Sequence, residues 1–166
     1  MIDSAIASGV ATWSRQNFND QKGIEHIAPL LGLVEELGEL TEAIEQDSPV
    51  DPIHDAVGDI GIYCLDFIAR AGLDVMEVWP DTVVKLPHSP LVYLSRMVHA
   101  CLKRHQGIRG FDNDVQFKEV LTVNTQYFLH AINSRYALTT HTTNTWNKVV
   151  SKRNWVSNPQ GPDLVS

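Results

Sequence analysis

Apolar residues recur along most of this chain at the three- and four-residue spacing of amphipathic helices, which predicts an all-α protein. Ile6, Val10, Trp13 and Phe18 approximate one face of a first helix over residues 4 to 18. Leu33, Leu37, Leu40 and Ile44 form the apolar stripe of a second, which starts near Pro29, a favourable first-turn residue, and stops at Gln46-Asp47-Ser48-Pro49. Asp51 followed by Pro52 reads as the N-cap and first-turn proline of a third helix, which Gly72 can close after Ala71. The connection is short, so the second and third helices are expected to be antiparallel neighbours.

The third helix differs from the others in being apolar almost all round. Val57, Ile60, Cys64, Phe67 and Ile68 cover much of its circumference, while Asp55, Asp59 and Ile62 share one stripe. Such a helix is a buried one, and two aspartates on its inner surface cost several kcal/mol unless a cation pairs with them. Further on, residues 74 to 79 add a short helical turn ended by Pro80. Ser89-Pro90 opens a helix to about residue 106 with Leu91, Leu94, Val98, Cys101 and His105 inward. Asp112 or Asn113 caps another, to about residue 137, whose apolar residues include Val115, Val120, Val123, Phe128 and Ile132. The expectation is a bundle of five to six helices forming one domain over residues 1–155, completed by oligomerisation, with a loose tail over 156–166. Gly38, Gly58 and Gly61, poor helix formers, are expected where backbones approach closely.

Composition narrows the function classes. At 166 residues, 43% hydrophobic and 20% charged, the chain suits one globular domain. A net charge of -7 argues against a nucleic-acid binder that relies on a broad basic surface. Cys64 and Cys101 both fall inside helical apolar patterns and read as small buried hydrophobes of a reducing compartment. No apolar run reaches membrane-spanning length and no basic n-region precedes an apolar stretch, so the expectation is a cytoplasmic protein without a membrane partner.

Chemistry concentrates in two acid clusters. Glu35, Glu36 and Glu39 are three or four residues apart and share a face of the second helix; Asp55 and Asp59 do so on the third. Carboxylates this close raise each other's pKa, and stay ionised together only when water or a cation screens them. Hard oxygen donors of this kind select Mg²⁺ or Mn²⁺. The plain alternative for the second helix is a solvated amphipathic face, since Glu35, Glu39 and Glu42 lie roughly opposite its leucines. Lys103, Arg104 and Arg109, with Gly107 and Gly110, either hold a polyphosphate or stabilise and close a helix C-terminus. His130 and His141 show no ligand spacing. Residues 19 to 26, polar and containing Gly23, form a connection able to close over a ligand.

Glu35-Glu36-x-x-Glu39, a short connection, and a second acidic helix through Gly58-Asp59-Ile60 resemble the all-α MazG-like nucleoside triphosphate pyrophosphohydrolases, over about residues 10 to 70. That family's signature is E-E-x-x-E followed by E-x-x-D, and its second glutamate is Ala56 here, with Asp55 the nearest acid. The resemblance implies Mg²⁺-dependent cleavage of a (deoxy)nucleoside triphosphate to monophosphate and pyrophosphate by a homodimer or homotetramer. It implies Glu36, Glu39, Asp59 and Asp55 as metal ligands and Glu35 as the base. On the first helix it points to Trp13, Gln16 and Asn17 as nucleotide contacts, the alternative being a core tryptophan and a helix end, and in a terminal helix over residues 145 to 155 to Asn147, Lys148, Lys152 and Arg153 on the phosphates, the alternative being a solvated basic face. Other readings stay open. His54-Asp55 with His26 could centre an HD-type metallophosphohydrolase; a single Asp51-x-x-His54 is a poor match to a di-iron bundle; and the loss of glutamate at Ala56 suits a non-catalytic nucleotide-binding module.

Overall fold

The third helix is the axis of the molecule because it is apolar on almost every side. The computed structural model describes residues 1–18 and 25–156. Among them the chain forms α1 (Ser4–Asn17), α2 (Ile27–Glu45), α3 (Val50–Ala71), α4 (Val75–Val78), α5 (Pro90–His105), α6 (Asp114–Asn133) and α7 (Leu138–Lys148), with a 3-10 turn at Val150–Lys152 and no strand. The all-α bundle is as expected, with seven α-helices rather than five or six. α3 buries Val57, Ile60, Cys64, Leu65, Phe67 and Ile68 and packs against α2 and α7 along most of its length and against α1. α5 and α6 form a second pair, joined to the first through α2.

Local chemistry accounts for most of the boundaries. Asp3 caps α1 by accepting from the Ala5 N–H at 2.8 Å, and Asn113 caps α6 by accepting from Val115 and Gln116 at 2.9 and 3.2 Å. α3 ends at Gly72, whose φ of 69° is the left-handed region where a Cβ is disfavoured, and the Leu73 N–H reaches back to the Ile68 carbonyl at 2.9 Å. The start of α3 differs from expectation. Pro49 occupies the cap position, so Asp51 and Pro52 lie inside the first turn. There Asp51 still complements the helix dipole and the missing Pro52 N–H is one that would have no helical partner anyway.

Three other expectations are corrected. The sixth helix stops at Asn133, and the chain turns through Ser134–Ala137 before α7, a turn that contains neither glycine nor proline. The expected terminal helix over 145 to 155 is the end of α7, a 3-10 turn, extended backbone at Arg153 and a turn at Trp155. On α5 the buried side chains are Tyr93, Leu94, Met97, Ala100 and Cys101, whereas Leu91, Val98 and His105 face solvent. On α6, Phe117, Leu121, Phe128, Leu129 and Ile132 are inside, Val115 and Val123 outside. Apolar residues crowd these helices so densely that several stripes satisfy the periodicity, and tertiary packing chooses between them. Cys64 and Cys101 are buried free thiols; burial raises both, Cys101 to about 12.

Glycine permits the closest approaches. A Cβ on Gly61 would collide with the Thr142 hydroxyl, and one on Gly58 with the Thr145 hydroxyl and, at 2.9 Å, the His141 carbonyl, so α7 lies directly on α3. Gly38 has open space beside it and takes no part. No helix among the described residues is long and apolar enough to cross a membrane.

Candidate metal and nucleotide site

A cavity of about 640 Å³ opens between the end of α1, the first half of α2, the middle of α3 and the segment after α7. α3 supplies its floor with Asp59, Ile62, Tyr63, Asp66 and Arg70, which recur at helical spacing on one stripe. α2 contributes Glu36, and Gly32 makes the α2–α3 approach possible, because a Cβ there would run into the Tyr63 ring. Trp13 and Trp155 add aromatic walls, and Arg153 places a guanidinium in the same space as the acids.

Glu36 is 9% exposed, and its Oε2 is buried without a hydrogen-bond partner. Burial, then the charges of Asp59, Glu39 and Glu35, push its carboxyl up to about 8 against an opposing pull from Arg153. Asp59 is pushed up to about 6, mainly by burial, with Asp55 and Glu39 adding to the rise and Arg153 opposing it. Glu36 of α2 and Asp59 of α3 line the same cavity, and each acts on the other's neighbourhood through charge. The Tyr63 hydroxyl is raised too, by burial first and then by Glu36, Glu35 and Asp59.

The expected site residues divide into those gathered here and those elsewhere. Glu36, Asp59, Trp13 and Arg153 line the cavity. Glu35, Glu39 and Asp55 are exposed and act on the lining acids through charge, not as walls. Gln16, Asn17 and Lys152 line an adjoining cavity of about 560 Å³ that shares Trp13 and Arg153. Lys103, Arg109, Asn147 and Lys148 line neither. Lys103 donates to Gln106 at 3.2 Å, and its neighbour Arg104 pairs with Asp114, donates to the Phe111 carbonyl at 3.0 Å and lies over the Phe117 ring, so the basic group at the end of α5 braces a helix end. Asn147 and Lys148 are exposed at the end of α7. The connection expected to close over a ligand falls largely on residues 19–24, outside the described residues, as does the tail beyond Val156.

Tyr63 and Trp155 of the lining escaped the sequence reading, as did a polar group formed by Ser14, Asp66 and Arg70. Ser14 Oγ donates to Asp66 Oδ2 at 2.8 Å and accepts from Arg70 Nη2 at 2.8 Å, while Arg70 Nε donates to Asp66 Oδ1 at 2.8 Å. The signal was the i,i+4 pair Asp66/Arg70 on an otherwise apolar helix, continuing the Asp59–Ile62 stripe by one more turn.

A divalent cation suits this donor set. A buried carboxylate oxygen without a partner, in the same cavity as the half-buried Asp59 carboxylate, is costly as it stands, and a hard cation would stabilise both ionised forms. As placed, no group of three or more His, Cys, Asp or Glu side chains among the described residues stands ready to hold an ion, so Glu39 would have to turn inward to complete one. His54 stacks on His141 with ring centroids 4.0 Å apart, and His26 lies against Phe67 and Phe117; neither His26 nor His54 lines the cavity. Comparison of the chain with protein-family models, with curated proteins and with solved structures gave no match.

Proposed function

We propose that this protein is a Mg²⁺-dependent nucleotide pyrophosphohydrolase, with Mn²⁺ as an alternative ion, that cleaves a (deoxy)nucleoside triphosphate into monophosphate and pyrophosphate. The observation that carries this reading is the coexistence in one aromatic-walled cavity of a buried, unpartnered Glu36 oxygen, Asp59, and an Arg153 guanidinium whose Nε also lacks a partner. Acids suited to a cation and a base suited to an anion, within one nucleotide-sized space, fit a metal-bound polyphosphate. Glu36 and Asp59 would hold the ion, joined by Glu39, with Asp55 on the flank. When bound, Mg²⁺ neutralises phosphate charge and polarises the phosphoryl group. Arg153 holds the phosphate chain against the carboxylates, and Trp13 and Trp155 provide faces for the base. Glu35, exposed beside Glu36, takes the proton of the attacking water as its oxygen bonds to the α-phosphorus and the bond to the departing pyrophosphate breaks. The resemblance to MazG-like enzymes extends the proposal to a homodimer or homotetramer acting in the cytoplasm.

One observation favours a second reading. Ala56 is buried and Asp55 is exposed, so the position of the missing glutamate is filled by a side chain that cannot ligate. A cavity short of one carboxylate suits a protein that binds nucleotide without turning it over. A panel of triphosphates with Mg²⁺, followed by ³¹P NMR, separates the two. Pyrophosphate and monophosphate in equal amounts, lost in Glu36→Gln and retained in His54→Ala, supports the enzyme. Saturable binding with no product supports the binder, and orthophosphate plus diphosphate contradicts both.

A further inference from the structure

The end of α1 is fastened to the segment after α7 by hydrogen bonds that the proposed chemistry does not itself use. Trp13 Nε1 donates to the Arg153 carbonyl at 3.0 Å, and the Trp155 N–H donates to Asn17 Oδ1 at 2.7 Å. Asn17 Nδ2 donates to the Trp13 carbonyl at 2.9 Å, which fixes the orientation of its amide. The segment has need of such anchors, because at Arg153 the backbone leaves the 3-10 turn and becomes extended, with φ -82° and ψ 140°. The anchor is itself fixed to the helix that carries Asp59, since Ser14, next to Trp13, is 1% exposed and bonded to both Asp66 and Arg70 of α3. The Arg153 side chain, meanwhile, is in the cavity, where its charge acts on Glu36 and Asp59.

We propose that Trp13 and Asn17 are positioning residues that clamp the backbone of residues 153–155 to α1, so that the Arg153 guanidinium is presented to the phosphate chain of a ligand held at Glu36 and Asp59. This rests on the nucleotide reading, and it assigns Asn17 a task other than the base or ribose contact that the resemblance implies. Asn17 lines only the adjoining cavity, so its effect on a phosphate ligand passes through the clamped backbone. Trp13 lines both cavities, and for it the indole N–H, not the ring, does the clamping. An arginine on an unclamped strand would spread its charge over many positions, and the phosphate affinity of the site would fall without any ligand contact being removed.

The test combines two measurements on the full chain. Tripolyphosphate with Mg²⁺ is titrated into the wild type, Trp13→Phe, Asn17→Ala, Arg153→Ala and the double variant Asn17→Ala/Arg153→Ala; amide exchange over residues 153–156 is followed in the same proteins without ligand. Trp13→Phe and Asn17→Ala are each expected to weaken tripolyphosphate binding by about 5- to 10-fold, the effect of one lost hydrogen bond, and to speed exchange at Trp155. In the Arg153→Ala background, Asn17→Ala should weaken binding no further. If Asn17→Ala costs as much in that background as in the wild type, or leaves exchange at 153–156 unchanged, the clamp is wrong while the nucleotide reading stands. If the wild type itself does not bind tripolyphosphate, the nucleotide reading falls and takes the clamp's purpose with it.

Discussion

Glu36 carries the largest electrostatic strain in the molecule's candidate site, and that strain has a sign that can be measured. Its folded-state pKa of about 8 lies above the ordinary carboxyl value, so the folded protein binds a proton that the unfolded chain releases. The stability that this proton confers is fully present below the ordinary glutamate pKa and is lost as pH rises through about 8. Asp59 adds a similar loss at lower pH, ending near 6. The metal-free protein should therefore lose stability progressively as pH rises from about 5.5 to about 8.5, read as a falling Tm. Glu36→Gln should flatten the upper part of that profile, and Mg²⁺ should restore stability at high pH in the wild type alone. Only half of this residue-level picture was legible in the sequence. Helical spacing puts Glu36 and Glu39 on one face and Asp55 and Asp59 on another, and the apolar circumference of α3 led both aspartates to be expected inside, whereas Asp55 is exposed. Burial within each pair is decided by rotation of α2 and α3 about their axes, which turns Glu36 and Asp59 inward and leaves Glu39 and Asp55 outside.

At the scale of elements, the site depends on how closely α3 is approached by its neighbours. Gly61→Ala should destabilise the fold by about 2–3 kcal/mol, because the new methyl group meets the Thr142 side chain. Thr142→Ala should recover part of that loss by removing the hydroxyl and methyl groups, as judged from urea unfolding midpoints. Gly58→Ala should resist the equivalent rescue by Thr145→Ala, since the His141 carbonyl remains in the way. The sequence signalled these approaches through glycines inside a helix, correctly for Gly58 and Gly61 and not for Gly38. It missed the break between α6 and α7 because residues 134 to 137 hold neither glycine nor proline, and Asn133-Ser134 alone is too weak a signal to end a helical pattern. The consequence reaches the site: with α7 ending at Lys148, Asn147 and Lys148 stay on its exposed end, and of the four polar residues expected on the phosphates Arg153 alone, three residues past the turn's start, lines the cavity.

For the molecule as a whole, the fold class follows from the density of helical periodicity, and the antiparallel α2–α3 pair from a connection too short for anything else. Long-range placement is what local pattern cannot supply. Nothing in the spacing of the chain says that Trp13 will meet Arg153, 140 positions later, or that the basic end of α5 will brace Asp114 and Phe117 instead of a phosphate. The exposed Leu91, Val98 and Leu102 form one stripe of α5, at the helical spacing of a face that a second chain would cover. If the proposed homo-oligomer is correct, light scattering should return two or four times the 18.5 kDa of one chain, and Leu91→Glu should lower that mass without changing helicity. A single-chain mass at assay concentration would contradict it.

The proposed function requires that Glu36 and Asp59 hold a cation between α2 and α3. Titration of Mn²⁺ followed by electron paramagnetic resonance tests this without reference to any substrate. The wild type should remove at least one equivalent of Mn²⁺ from the free signal, Mg²⁺ should compete for it, and Glu36→Gln and Asp59→Asn should each abolish the binding. Undiminished Mn²⁺ binding in both variants, or none in the wild type, would contradict the account.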